Sequence, residues 1–436
     1  MAEECRPMLG TAWEKETAVW PHHLVRANQR DRLLRDQWLR AGGYPRLPHH
    51  VMAAWRLPQQ LATRRLASAL DELVHHHEAL LSSFASTLSD EQVQIDGSLA
   101  VSPVIHHRMA GSASPEATSA TYTQIALAPF QINEEALIRA AVVTDSEDSC
   151  ILVLAVEHLV CDGFSFGILM NDLFAAYNGK PLPGVIPNYA AVMDARSHRE
   201  LLDVSDPVDD SPVLPAFPWA HAAPPGRQSF AAGHISKKVD QVSKREVIHA
   251  ARSAGVPVAT LCLAALATCI HERTGGSDFR ALLILLNRAS DNIGLVGWFS
   301  NSVEIMIRPF SVRTELPELL ESVQRVVQSC LARQSESVYE RIRRLQPAEY
   351  GRIPATPMFG VNCQVPSSDD DTLPGGAHEL PLEDAGWCVG VEANFHWLDD
   401  HLCFSASYNL STIEPQLLSS LMADVADKLT WMVGRM

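Results

Sequence analysis

An α/β protein built as two sandwich lobes is what the sequence predicts, on three observations. Strand-length apolar runs alternate with stretches of helical periodicity in the first half, the same alternation returns in the second half, and a proline-rich stretch separates the two. The length of 436 residues, long for a single core, points the same way. With 47% hydrophobic and 20% charged residues, the chain has enough apolar surface to bury both cores.

Residues 11–40 carry Arg26, Arg30, Arg32, Arg35 and Arg40 among apolar neighbours. Two readings of this stretch stand: the solvated side of surface structure, or a docking patch for an acidic partner. Residues 59–84 repeat apolar side chains at helical spacing, and the stripe Leu61, Leu66, Leu70, Leu73 and Leu80 predicts a helix facing the core. Residues 151–156 form an unbroken apolar run, read as a buried strand, and Phe166, Met170, Leu173 and Tyr177 then mark one face of a helix. Between Asn178 and Gly233, prolines such as Pro181, Pro187, Pro212, Pro218 and Pro224 break regular structure, and Asp203, Asp206, Asp209 and Asp210 crowd the middle with charge. This stretch is read as a linker between lobes, which divides the chain into 1–180 and 181–436. In the second half, helices are predicted near 241–254, 258–273 and over much of 315–345, and strands at 281–286, 302–307, 358–365, 389–397 and 402–408.

Composition excludes several function classes. A formal net charge of −16 repels nucleic acid and anionic membrane alike. Nine cysteines without a CxxC pair, and a start MAEECRPMLG without a basic segment and apolar core, predict reduced thiols and a cytoplasmic protein. No charge-free stretch approaches a membrane span. Histidines come in clusters, His22/His23, His49/His50, His106/His107 and His75 to His77, but consecutive side chains diverge on a helix or strand and the HExxH spacing is absent, so no metal site is expected.

The chemistry concentrates between the strand at 151–156 and the helix after it. An imidazole at the end of a buried strand is held rigidly, so His158 reads as a general base for an attacking amine or hydroxyl. Asp162 is placed to brace the loop by accepting hydrogen bonds or an arginine, and Gly163 to permit a turn that a side chain would obstruct. Gly163 to Gly167 also spell GxSxG, but the strand-like run stops well before the serine and no HGGG-type segment occurs, so Ser165 is read as the N-cap of the helix. Neighbours on a strand face opposite ways, which puts Glu157 on the side away from His158.

On these residues the chain resembles the condensation domains of nonribosomal peptide synthetases. HLVCDGFSFGILMNDL (158–173) is similar to their HHxxxDG segment and to the HxxxDG segment of chloramphenicol acetyltransferase. LASALDELVHHHEALLSSF (66–84) is similar to the helix with the RHExLRTxF ending, APFQINEEALIRAAVV (128–143) to the FDL-then-PLxRA segment, NRASDNIGLVGWFSNSVEIMIR (287–308) to the GxFxN segment, and LCFSASYNLSTIEPQLL (402–418) to the late YN step. Glu157 stands where the family has its first histidine, and His76 and Leu81 where it has two arginines.

The resemblance implies two acetyltransferase-like lobes in a V-shaped pseudo-dimer with a tunnel where they meet. It implies His158, Asp162 and Gly163 as the catalytic segment, and Glu157, Ser165, Arg288, Trp298, Ser300 and Asn301 around the substrates. Arg288 is either the partner of Asp162 across the lobes or a surface arginine, and Gly297 to Asn301 are either a pocket for an acyl chain or pantetheine arm or a buried turn. The implied activity is acyl transfer by a monomer with no intrinsic cofactor. The donor would be a phosphopantetheine thioester on an acyl or peptidyl carrier protein, and the acceptor a small amine or alcohol. Nothing in 436 residues is left over for an adenylation or carrier domain, so both substrates are expected in trans. A coenzyme A donor and a non-catalytic recruitment platform remain as alternatives, while an epimerisation domain would need an EGHGR-like motif that the chain lacks.

Overall fold

The computed structural model describes residues 22–436 except 44–46, 85–91, 111–112, 146–147, 185–187, 203–214, 222–228, 291, 311–313, 346, 351–357, 365–376, 381, 383–387, 389 and 399. The aspartate-rich run and several of the prolines expected to form the linker, Pro187, Pro207, Pro212, Pro224 and Pro225, lie outside the described residues. The first half runs β1 (His22–Leu24), α1 (Ala27–Ala41), β2 (His50–Leu57), α2 (Thr63–His76), β3 (Ser82–Phe84), β4 (Gln92–Ile95), β5 (Ile105–Arg108), α3 (Pro115–Leu127), β6 (Ile138–Thr144), β7 (Cys150–Glu157), α4 (Gly163–Tyr177) and α5 (Tyr189–Leu202). The second half runs β8 (Ala232–Val239), α6 (Lys244–Ser253), α7 (Val258–Thr274), β9 (Phe279–Leu285), β10 (Asn301–Ile307), α8 (Leu316–Ala332), α9 (Val338–Leu345), α10 (Pro347–Tyr350), β11 (Phe359–Gln364), β12 (His378–Leu380), β13 (Val391–Leu398), β14 (His401–Asn409) and α11 (Pro415–Val433).

Each half is a sheet covered by helices. In the first, β7 lies between β2 and β6, antiparallel to both, in the order β12-β2-β7-β6-β5. Every residue of β7 is buried, which is why its sequence is one apolar run instead of an alternation. Leu66, Leu70 and Leu73 of α2 and Leu169 and Leu173 of α4 pack on one face of this sheet, and Tyr122 and Ala126 of α3 on the other. In the second half the order is β10-β9-β11-β13-β14-β8, with α7, α8 and α11 over one face. Fully burying each such leucine contributes about 1.5–3 kcal/mol, so the two cores carry most of the fold. Among the described residues no single helix is long and apolar enough to cross a membrane.

The structure departs from the sequence reading in four places. The periodic stretch 59–84 is one helix only to His76, after which a 3-10 turn (Glu78–Leu81) and β3 take over. Helix is likewise broken between Ala332 and Val338. Within the expected linker stands α5, where the Tyr189 amide donates to Glu78 Oε2 at 3.1 Å and the Arg196 guanidinium to the Asn287 carbonyl at 2.7 Å. The arginines from 26 to 40 are not all on a solvated face either, although Arg40 is exposed. Arg26 and Arg32 are buried, Arg32 against Asp36 and the Leu47 carbonyl.

The halves are also interleaved. β12, from the second half, pairs antiparallel with β2 at the edge of the first sheet. Leu295, Val296 and Phe299 belong to the core of the first half although they follow β9.

Candidate active site

His158 follows directly on the buried end of β7, as the first residue of a 3-10 turn (His158–Val160). Its amide donates to the His49 carbonyl at 2.9 Å, which extends the β2–β7 pairing one step beyond His50 and Glu157. The alternation of strand side chains then sorts four residues into two pairs. The His49 ring stacks on His158 with centroids 4.4 Å apart and planes 25° from parallel. On the other side, His50 Nε2 lies 3.7 Å from Glu157 Oε2, its Nδ1 donates to the Ala126 carbonyl at 2.9 Å, and its ring packs edge-on to Phe130. Glu157 is 0% exposed, and the group it faces is the His50 imidazole.

The His158 imidazole is partly exposed. Its Nδ1 is buried. Burial lowers the pKa of His158 from the ordinary imidazole value, outweighing its own carbonyl, Asp162 and Glu157, which act to raise it. The ring is therefore neutral and basic near pH 7, as a proton acceptor needs to be. Trp298 closes an adjacent side, its indole 4.5 Å from His158 and 5.8 Å from His49.

Asp162 is 2% exposed and each of its oxygens takes two donors. Oδ1 accepts from the Ser165 amide at 2.8 Å and Arg288 Nη2 at 3.0 Å, and Oδ2 from the Phe299 and Ser300 amides, both at 2.9 Å. Burial acts to raise this carboxyl, but Arg288 and the backbone donors prevail and leave it below its usual value. Asp162, not Ser165, is thus the N-cap of α4, a correction that follows from which side chain reaches the free amides of the first turn. Ser165 is 0% exposed and is a tie instead, its hydroxyl donating to the Gly297 carbonyl at 2.7 Å and accepting from the Gly297 amide and Arg288. Gly163 opens α4 without a positive φ, so the turn does not depend on glycine's backbone freedom.

The second half meets this loop through residues 286–300. Asn287 takes a left-handed φ of 48° after β9, a conformation asparagine tolerates, and the chain then presents Arg288. Its Nη1 donates to the Asn292 and Leu295 carbonyls while its plane lies over Phe164 and Phe299. A Cβ on Gly297 would come within 2.7 Å of Phe299 and 2.9 Å of Tyr189, which is why this turn carries glycine. Ser300 meets the loop through its backbone, and Asn301 is turned away, donating to the Gln334 and Glu336 carbonyls at 2.9 and 2.8 Å. From α1, Arg26 donates to the Trp298 carbonyl, Asn28 to that of Ser300 and Gln29 to that of Leu159. The structure thus gathers His158, Asp162, Arg288, Trp298 and Ser300, adds His49, and leaves Asn301 outside.

One cluster among the described residues has metal-ligand chemistry, with donor atoms of His76, His77 and Asp172 within 4.8 Å of one another. The divergence expected of consecutive histidines fails because α2 ends at His76 and His77 turns extended. His77 Nε2 and Asp172 Oδ2 already share a hydrogen bond at 2.9 Å. Asp172 lies ten residues along α4 from its cap, roughly 15 Å from the Asp162 end.

Substitution at Glu157 separates its role from that of its neighbour. Glu157→Gln is expected to keep most of the wild-type turnover and to lower Tm, since the amide still fills the site but gives His50 no charge to face. Glu157→Ala, which removes the carboxylate that His50 faces, is expected to cost about 1–3 kcal/mol in denaturant unfolding. A large loss of rate in Glu157→Gln at unchanged Tm would place this carboxylate in the reaction itself.

Comparison with known proteins agrees with this geometry. The Condensation domain family model matches residues 48–354. Malpibaldin synthetase of Mortierella alpina is 24% identical over 385 residues, which is 84% of this chain and 7% of that protein. The condensation domain from monacolin K polyketide synthase MokA superposes with a TM-score of 0.75 at 16% identity, over 94% of this chain and 97% of that one. SgcC5 from Streptomyces globisporus gives 0.69 at 18%, over 88% and 92%. These neighbours share the two-lobed acetyltransferase-like fold. The chain spans 7% and 4% of the length of the first two curated relatives, both large synthetases. With the family model covering most of the chain, the chain belongs to the condensation-domain family.

Proposed function

We propose that this protein transfers an acyl or aminoacyl group from a phosphopantetheine thioester on a carrier protein to a small amine or alcohol supplied in trans. The observation that carries the reading is the His158 imidazole, partly exposed, held at a strand end and kept neutral near pH 7 by burial. A thioester is already activated, so the site has to align two substrates and manage one proton. Nε2 takes the proton of the attacking N–H or O–H as the new C–N or C–O bond forms. The C–S bond then breaks, and the imidazolium returns the proton to the leaving sulfur. Asp162 and Arg288 touch neither substrate in this scheme but keep the loop and the 286–300 segment in register. Glu157, Ser165 and Asn301 likewise act through the protein. Trp298 is the aromatic wall nearest the base.

The test is intact-protein mass spectrometry of acyl-loaded carrier proteins with and without the protein, against a panel of amine and alcohol acceptors. Hydroxyl acceptors belong in the panel because the fold neighbour SgcC5 was crystallised with an aryl ethanediol. Enzyme-dependent loss of the acyl mass from the carrier, with matching amide or ester product, is the expected result. Transfer from acyl-coenzyme A but from no carrier would move the donor assignment, and transfer from neither would leave a recruitment platform.

A further inference from the structure

We propose that His49 is a positioning residue for this chemistry: it presents a neutral aromatic face to His158, and that face, with the Trp298 indole beside it, receives the imidazolium formed when the base takes its proton. The inference rests on His158 being the base. Three ring centroids separated by 4.4, 4.5 and 5.8 Å form a compact corner around the reacting imidazole. A cation over an aromatic face is stabilised, and more so where water is excluded. A second imidazole can do this only while it carries no proton of its own, since two stacked cations repel.

The surroundings keep His49 in that state. Burial pushes its pKa well below the ordinary value, and the charges of His158, Arg32, Arg35 and His50 act in the same direction. Around His158, by contrast, Asp162 and Glu157 act to raise the pKa, with burial and Arg32 opposing them. On this proposal the first proton that reaches the pair goes to His158. The His49 carbonyl accepts from the His158 amide, which fixes the two rings in register.

Two readouts test this. In carrier-dependent transfer, His49→Phe, which keeps the face and cannot be protonated, is expected to retain most of the wild-type kcat. His49→Ala is expected to lose on the order of tenfold in kcat with KM little changed, and His49→Lys, which puts a fixed cation on the wall, to lose more than His49→Ala. A purely structural role would not order the three by charge and face. The second readout needs no substrate: nitrogen NMR of labelled histidine, assigned by the His49→Phe difference, is expected to show His49 neutral at the pH where His158 is half protonated. Protonation of His49 before or together with His158, or a His49→Phe protein as slow as His49→Ala, would overturn the proposal. Absence of transfer by the wild type with the NMR result intact would instead count against the functional reading on which the kinetic arm depends.

Discussion

Alanine at position 158 is expected to lower turnover about a hundredfold to ten-thousandfold, the range for removal of a general base, with Tm little changed. The side chain is partly exposed and makes no hydrogen bond that the fold would miss among the described residues, so the loss should fall on rate and not on stability. The pH profile of the wild type supplies the second half of the test. Because burial holds His158 below the ordinary imidazole value of 6.5, the fraction of neutral imidazole persists to lower pH, and the acidic limb of kcat/KM should lie below 6.5. A variant that keeps more than about a tenth of the wild-type rate, outside the general-base range, would make substrate alignment the main source of catalysis.

Asp162→Ala is the second large effect, and it should appear as instability. Removal of the carboxylate leaves Arg288 and the amides of Ser165, Phe299 and Ser300 without their acceptor in a buried place, at a cost of about 3–5 kcal/mol. Asp162→Asn should be milder, since an amide oxygen still accepts. The sign of the pH effect follows from the depressed carboxyl. Its contribution is complete above the unfolded value near 3.8 and is lost as pH falls below that through the lower folded value. Denaturant unfolding of wild type and Asp162→Asn should therefore differ most at neutral pH, with the gap closing below about pH 4. Equal stability of the wild type and Asp162→Ala, joined to lost activity, would move Asp162 from bracing to chemistry, and Arg288→Ala with unchanged stability would show that the ion pair carries nothing.

The parts of the site legible in sequence are those whose local pattern and function coincide. β7 reads as a strand because it is buried on both faces, and His158 and Asp162 are conspicuous as the polar residues between it and α4. Arg288 was legible as one of two options, which only the contact with Asp162 decides. What stayed hidden depends on partners far along the chain. Arg26 looks like a surface charge until the Trp298 carbonyl, 272 residues away, takes its guanidinium. His49 and His50 read as a histidine pair with no assignment, because their value lies in strand register, which sets one against His158 and the other against Glu157. Ser165 reads as the cap of α4 from its place before the apolar face, but it is Asp162, three residues earlier, whose carboxylate reaches the Ser165 amide.

The loan of β12 to the first sheet has a mechanical consequence. The two halves are joined at the Asp162–Arg288 contact and again where Leu380 and His378 pair with Ala54 and Arg56. Ala54 is four residues along β2 from the strand end that neighbours His158, roughly 13 Å away. Because β12 is hydrogen-bonded into the first sheet, the halves cannot slide past one another at that edge without breaking backbone pairs, so the second half is stitched to the first by main chain as well as by side chains.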